Sequence, residues 1–302
     1  MVTVSDVRAA GGRGAALGFL LVFSILTFAQ EQPQKPAESP KAPPPKPLTV
    51  KSADGTKIVY EMVGSGPALI MLHGGGQTRR AWNDRGYVDK LKDRFTVITI
   101  DLRGSGESDK PTQPEAYALD RRLEDIVAVA DAAKAQRFLL WGFGHGASIG
   151  RYLTARSDRV ISMVYVGAPM GPAVTGVVKD AITGMRAKWQ PLVEAQKGGT
   201  LDLKTLSNGD RAAWENGVAT NAIALGTLLD YPPLEPADIK SPTLWVVGAA
   251  DAAAMESVKA YEGKLAGTKV TVATIDGLSY SDSFAKSEPV LAKAEPFLTA
   301  NR

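Results

Sequence analysis

The chain has 302 residues, 44% of them hydrophobic and 7% aromatic, which is enough for one large α/β domain with a buried core and unlike a fibrous or disordered polymer. Its 35 basic and 32 acidic residues give a net charge of +3 and lie dispersed along the sequence, so no basic stripe is available for a nucleic-acid backbone, and nucleic acid is not expected as a partner. There is no cysteine and there are two histidines, His73 and His145, a set that excludes disulfides and thiolate metal sites and predicts no bound metal.

Arg8 and Arg13 precede an apolar run over 15–28, and Thr27-Phe28-Ala29 has the form of a small-residue cleavage site. This pattern predicts a signal peptide over 1–29 and a secreted or periplasmic protein. The run falls short of the roughly 20 apolar residues that span a bilayer, so no stable span is expected after cleavage; an uncleaved N-terminal anchor is the alternative. Residues 30–47 form a Pro-rich linker with seven prolines between Pro33 and Pro47, a composition that cannot bury a core and predicts an extended spacer.

The folded domain is expected over 48–302. Two β-prone runs in 49–63 meet at Asp54-Gly55, a two-residue hairpin signal, so an antiparallel edge should open the sheet. Apolar runs then follow at 68–72, 96–102, 138–141, 160–166, 243–247 and 270–275. They are continuous rather than alternating, as in strands buried on both faces of a parallel sheet. Amphipathic segments at 116–134, 148–156, 255–265 and 284–298 predict helices between them. The stretch 171–238 carries helical patterns and no convincing strand, and is expected to form a helical lid over the strand ends, where ligands bind in such sheets.

Three motifs stand at strand ends. His73-Gly74-Gly75-Gly76 follows the run at 68–72; Asp101-Leu102-Arg103-Gly104-Ser105-Gly106-Glu107-Ser108 closes the next; Trp141-Gly142-Phe143-Gly144-His145-Gly146 leads a strand through a glycine-rich turn into a helix. In this order they resemble the HGGG oxyanion loop, the D-x-R-G-x-G-x-S turn and the nucleophile elbow of α/β-hydrolases, and the resemblance covers essentially all of 48–302. It implies the α/β-hydrolase fold, a mostly parallel sheet with helices on both faces, and an activity like that of carboxylic ester hydrolases. It also implies an oxyanion hole built from Gly74, Gly75 and the His145 backbone N–H.

Two expected reacting groups are absent. The elbow needs a serine at its centre, where Gly144 stands, and the family's late histidine position is held by Tyr280 in Ile275-Asp276-Gly277-Leu278-Ser279-Tyr280. A phenol with an ordinary pKa of about 10 does not take a proton at neutral pH as imidazole does. The acid position matches Asp251 in Gly248-Ala249-Ala250-Asp251, which could equally be the N-cap of the following helix. Losing the nucleophile or the base of such a triad removes about 10⁶ of rate, leaving about 10³–10⁴ over water.

The sequence therefore predicts an exported protein with impaired catalysis that binds a small acyl or ester-like ligand and needs no cofactor. One alternative is an active hydrolase using Ser148, or a water held by His145 and Asp251. Ser148 belongs to a literal G-x-S-x-G at Gly146-Ala147-Ser148-Ile149-Gly150, but it lies a helical turn past the bend, where small residues serve close packing. The other is a tethered interaction module that uses the scaffold as a surface.

Overall fold

The computed structural model describes residues 45–302; residues 1–29, where a signal peptide is expected, and most of the expected Pro-rich linker lie outside the described residues. Among these, eight strands form one sheet in the order β1-β2-β4-β3-β5-β6-β7-β8. They are β1 (Leu48–Lys51), β2 (Lys57–Gly64), β3 (Ala68–Leu72), β4 (Thr96–Asp101), β5 (Phe138–Phe143), β6 (Val160–Val166), β7 (Thr243–Gly248) and β8 (Val270–Ile275). β1 and β2 form the expected hairpin and β2 pairs antiparallel with β4; every other pairing is parallel.

Successive side chains of a strand point to opposite faces, and both faces here are covered. On one side Ile70, Leu72, Ile98 and Ile100 pack with Leu123, Ile126 and Val129 of α3 (Leu119–Ala132) and with Ile149 and Leu153 of α4 (His145–Arg156). On the other, Leu69, Met71, Val97 and Trp141 meet residues of two short helices and of a late one. The short helices, Arg80–Asp84 (α1) and Tyr87–Leu91 (α2), were not anticipated. Their apolar residues Trp82, Tyr87, Val88 and Leu91 are all buried, and the Trp82 and Tyr87 rings meet Trp141 at 6.2 and 5.5 Å.

Several boundaries differ from expectation. β5 runs two residues further, to Phe143, and α4 begins at His145, so the bend between them closes within one residue, Gly144. The helix expected over 116–134 begins at Leu119, after a 3-10 turn at Pro114–Tyr117. The segment expected over 284–298 is interrupted at Lys286, with Asp282–Ala285 before it and Ser287–Ala300 after it. Between β6 and β7 the chain is helical: α5 (Gly176–Lys197), α6 (Asn208–Glu215) and α7 (Val218–Gly226), with a single bridge between Gly171 and Leu234 at its base. Numbered in order after these, α8 is Ala252–Tyr261, α9 Asp282–Ala285 and α10 Ser287–Ala300.

Candidate active site

Parallel register brings the strand ends together: Leu72 stands opposite Gly142 across β3 and β5, and Gly142 opposite Tyr165 across β5 and β6. The loop after β3 therefore runs beside the bend after β5. Gly146 N–H donates to the His73 carbonyl at 3.0 Å, and Gly144 N–H to that of Val166 at 2.9 Å. A Cβ at Gly142 would lie 2.5 Å from Ala147 Cα, and one at Gly146 would strike the Leu72 carbonyl, so strand, helix and loop approach this closely only because both positions are glycine. Gly144 has φ 49° and ψ −112°, a conformation that L side chains rarely adopt.

The space in front of that bend is occupied. A Cβ built on Gly144 would collide with the Tyr280 hydroxyl, which sits where a side chain at position 144 would begin. The Tyr280 ring lies 5.1 Å from that of Phe143, and it packs close to Gly167, while 44% of the residue's surface stays exposed. Burial of the hydroxyl end, helped by the Asp251 charge, raises its pKa above the ordinary 10, so the phenol is protonated at neutral pH and is a donor rather than a base. Asp251 precedes α8 and accepts the Ala254 N–H at 3.1 Å, so it is a helix N-cap and a charge felt at Tyr280.

Both histidines are buried and held by hydrogen bonds. His73 Nε2 accepts the Leu102 N–H at 3.2 Å, which leaves Nδ1 to donate to the Gly74 carbonyl at 2.8 Å; the ring braces its loop against β4. His145 is 9% exposed and accepts at Nε2 from Arg122 Nη1, 2.5 Å away. Burial, then the Arg122 charge, keep its pKa well below 6.5, so the ring is neutral. An imidazole whose Nε2 is occupied by a guanidinium cannot withdraw a proton from water there, which weighs against a water activated by His145 and Asp251.

The oxyanion loop is more restricted than the sequence suggested. Gly74 N–H is donated to Gln77 Oε1 at 2.9 Å, which removes Gly74 from the donors available to a ligand. Among the described residues no acceptor takes the Gly75 or His145 amide. Leu225 of α7 lies over this loop, 3.1 Å from where a Cβ of Gly75 would stand. Ser148 N–H bonds to the Gly144 carbonyl at 2.9 Å, one helical turn on, and its buried hydroxyl donates to the Ala173 carbonyl at 2.9 Å. Its oxygen therefore ties α4 to the start of the helical insertion and is turned away from the bend.

Gln77, Arg122 and Leu225 were not foreseen. The spacing of Leu119, Arg122, Leu123 and Ile126 places Arg122 on the buried face of α3, and that was the legible signal. Cavities of about 620 and 430 Å³ flank α3, the first lined by Leu123, Val127 and Leu153, the second by Leu119, Thr227 and Tyr231; neither includes Gly144, His145 or Tyr280. Among the described residues no group of histidines and carboxylates is arranged to hold a metal, and no helix is long and apolar enough to cross a membrane.

Comparison with known proteins agrees with this architecture. A family model described as alpha/beta hydrolase fold matches residues 67–206. An uncharacterized protein of Mycobacterium tuberculosis is 32% identical over 140 residues, 45% of this chain and 37% of that protein, so the match spans little more than a third of the relative's length. Among solved structures, one reported under novel epoxide hydrolases of the alpha/beta hydrolases superfamily, from metagenomes of hot environments, superposes with a TM-score of 0.65 at 22% identity, covering 84% of this chain and 98% of that one. An esterase from Exiguobacterium antarcticum gives 0.64 at 21% identity, covering 84% and 100%. The sheet order, the positive-φ bend after its fifth strand and these likenesses agree: the chain has the α/β-hydrolase fold.

Proposed function

We propose that this protein binds a small ligand at the bend after β5 and does not turn over ordinary esters at enzymatic rates. The observation that carries the reading is the Tyr280 hydroxyl packed onto Gly144: the place of an attacking oxygen and that of its base are filled by one protonated phenol. What remains suits binding, because among the described residues the Gly75 and His145 amides have no acceptor, and Leu225 of the insertion lies over Gly75. The esterase and epoxide hydrolase likenesses support a small-molecule ligand, and the N-terminal pattern over 1–29 supports action outside the cytoplasm.

Purified protein treated with a fluorophosphonate should remain unlabelled, and p-nitrophenyl esters of several chain lengths should be cleaved no faster by it than by its Ser148→Ala variant. Stoichiometric labelling at Ser148 would overturn the non-hydrolytic reading. Screening small esters and acids by thermal shift separates a ligand binder from a tethered docking surface, which none of them should stabilise.

A further inference from the structure

The sheet has two edge strands, β1 and β8, and they are finished differently. β1 is four residues long, ends on Lys51 and is preceded by Pro45-Lys46-Pro47. Short length, lysine and proline are the usual means of keeping an edge from pairing with another chain. β8 reads Val270-Thr271-Val272-Ala273-Thr274-Ile275, with no charge, proline or glycine in it, a composition that favours extended backbone. Lys269 and Asp276 stand just outside it.

The register fixes which groups of β8 are free. The Lys269 carbonyl accepts the Thr243 N–H at 2.9 Å, and the Ile275 carbonyl accepts the Ala249 N–H at 2.9 Å. Backbone direction alternates along a strand, so Lys269, Thr271, Ala273 and Ile275 turn their groups to β7, while Val270, Val272 and Thr274 aim theirs away from it. Among the described residues no strand lies on that side, and the one bond made there is long, 3.3 Å from the Val270 N–H to Thr268 Oγ1. Apolar side chains beside this edge stay half-buried: Val272 and Leu265 on the face that α8 covers, Ala273, Ile275 and Phe297 on the face that α10 covers. They supply the apolar area that an interface needs besides its hydrogen bonds.

We propose that this edge is completed by a second copy of the chain, β8 pairing antiparallel with β8 about a two-fold axis that passes through the sheet at Val272. A row of outward N–H and C=O groups is complemented by another strand, and the spacing of the free ones selects this strand. With Val272 facing Val272, Val270 faces Thr274 and Thr274 faces Val270, so every outward N–H and C=O of β8 is used in one register. A slip in either direction carries Val270 or Thr274 past the end of the partner strand. Lys269 then stands opposite Ile275 and Asp276 opposite Thr268, so no like charges meet. The strands of the two copies run in opposite directions, which puts their Gly144 bends at opposite ends of the joined sheet. Its outer edges are the two guarded β1 strands, so pairing stops at two copies. This interface does not depend on the ligand reading above.

The test is sedimentation of the whole chain from low to high micromolar concentration, where a species of twice the chain mass is expected. Val272→Pro removes an N–H that β7 does not use and sets a ring against the partner strand. It should weaken dimerisation about tenfold or more, the loss expected for two hydrogen bonds, while the chain stays folded by circular dichroism. Should that variant fail to fold, Val272→Cys decides. The chain has no cysteine, and paired residues of an antiparallel seam stand about 5.5 Å apart at Cα, within disulfide reach, so mild oxidation should lock a covalent dimer. Thr274→Cys, which faces Val270, should cross-link far less. A chain that remains a monomer throughout, or a dimer that a folded Val272→Pro does not weaken and Val272→Cys does not lock, would overturn the proposal. Equal cross-linking of Thr274→Cys and Val272→Cys would overturn it too.

Discussion

The turn after β4 and the bend after β5 lie at the same end of one sheet, and they are built oppositely. In the first, charge meets charge. Asp101 accepts the Arg79 backbone N–H at 2.7 Å and the Glu107 N–H at 2.8 Å, and it binds the Arg79 guanidinium, whose Nε reaches Glu61 at 2.8 Å. Arg103 is held by Asp54 and Asp125, and Ser108 donates to the Asp101 carbonyl while accepting the Val59 N–H. In the second, among the described residues, the Arg122 guanidinium has no carboxylate partner, two amides have no acceptor, and a phenol lies on a glycine. The first arrangement fixes a scaffold. The second leaves polar capacity unspent where ligands of this fold sit.

Removing a charge from the first region should have the largest effect. Asp101→Ala leaves the Arg79 guanidinium buried beside a weaker set of partners, and should cost about 3–5 kcal/mol of stability in denaturant unfolding, as breaking a buried ion pair does. A loss well under 1 kcal/mol would show that the two regions do not differ in the way described.

A smaller effect is expected at the bend. Gly144→Ser must hold a positive φ and displace Tyr280, and should cost about 1–3 kcal/mol. Combining it with Tyr280→His, whose smaller ring vacates the space, should recover part of that loss, so a double-mutant cycle should show coupling of about 0.5–3 kcal/mol. Additive losses would mean that the two side chains do not compete for one place. Ester hydrolysis that appears only in the double variant would show that the surrounding donors still suit acyl transfer.

Ser148→Ala should cost about 1 kcal/mol through the lost hydrogen bond to the Ala173 carbonyl, with ligand binding unchanged. A change in affinity without a change in unfolding midpoint would place Ser148 in the site. The least conspicuous effect is on pH dependence. His145 and His73 are held below their ordinary pKa of 6.5 in the folded chain, whereas the unfolded chain takes up those protons near 6.5. Stability is therefore full above pH 6.5 and should fall as the pH is lowered toward 5. His145→Gln should flatten that slope in part, the remainder belonging to His73. Asp54, pushed up by burial but pulled down further by its bonds from Arg103 and Thr56 to about 2, adds a loss only below pH 3.8.

Much of the architecture was legible because its signals are local. Continuous apolar runs marked the parallel strands, Asp54-Gly55 the hairpin, and the glycines at 142, 144 and 146 the bend. The helices α1 and α2 went unseen because each is five residues long, too short for a periodic pattern to stand out. The exclusion of Gly74 by Gln77 could not be read either, since a carboxamide three residues on has several rotamers and only the folded loop selects one.

By itself the sequence determined that a turn of this fold would be centred on a glycine and that no histidine follows the last strand, because motif spacing and strand ends are properties of contiguous residues. Tertiary structure alone decided that the Tyr280 hydroxyl would fill the space over Gly144, and that Arg122 would reach His145 and the α7 carbonyl of Ala224. Such contacts join segments far apart in the chain. Their geometry depends on how helices from both sides close over the sheet, which no window of neighbouring residues contains.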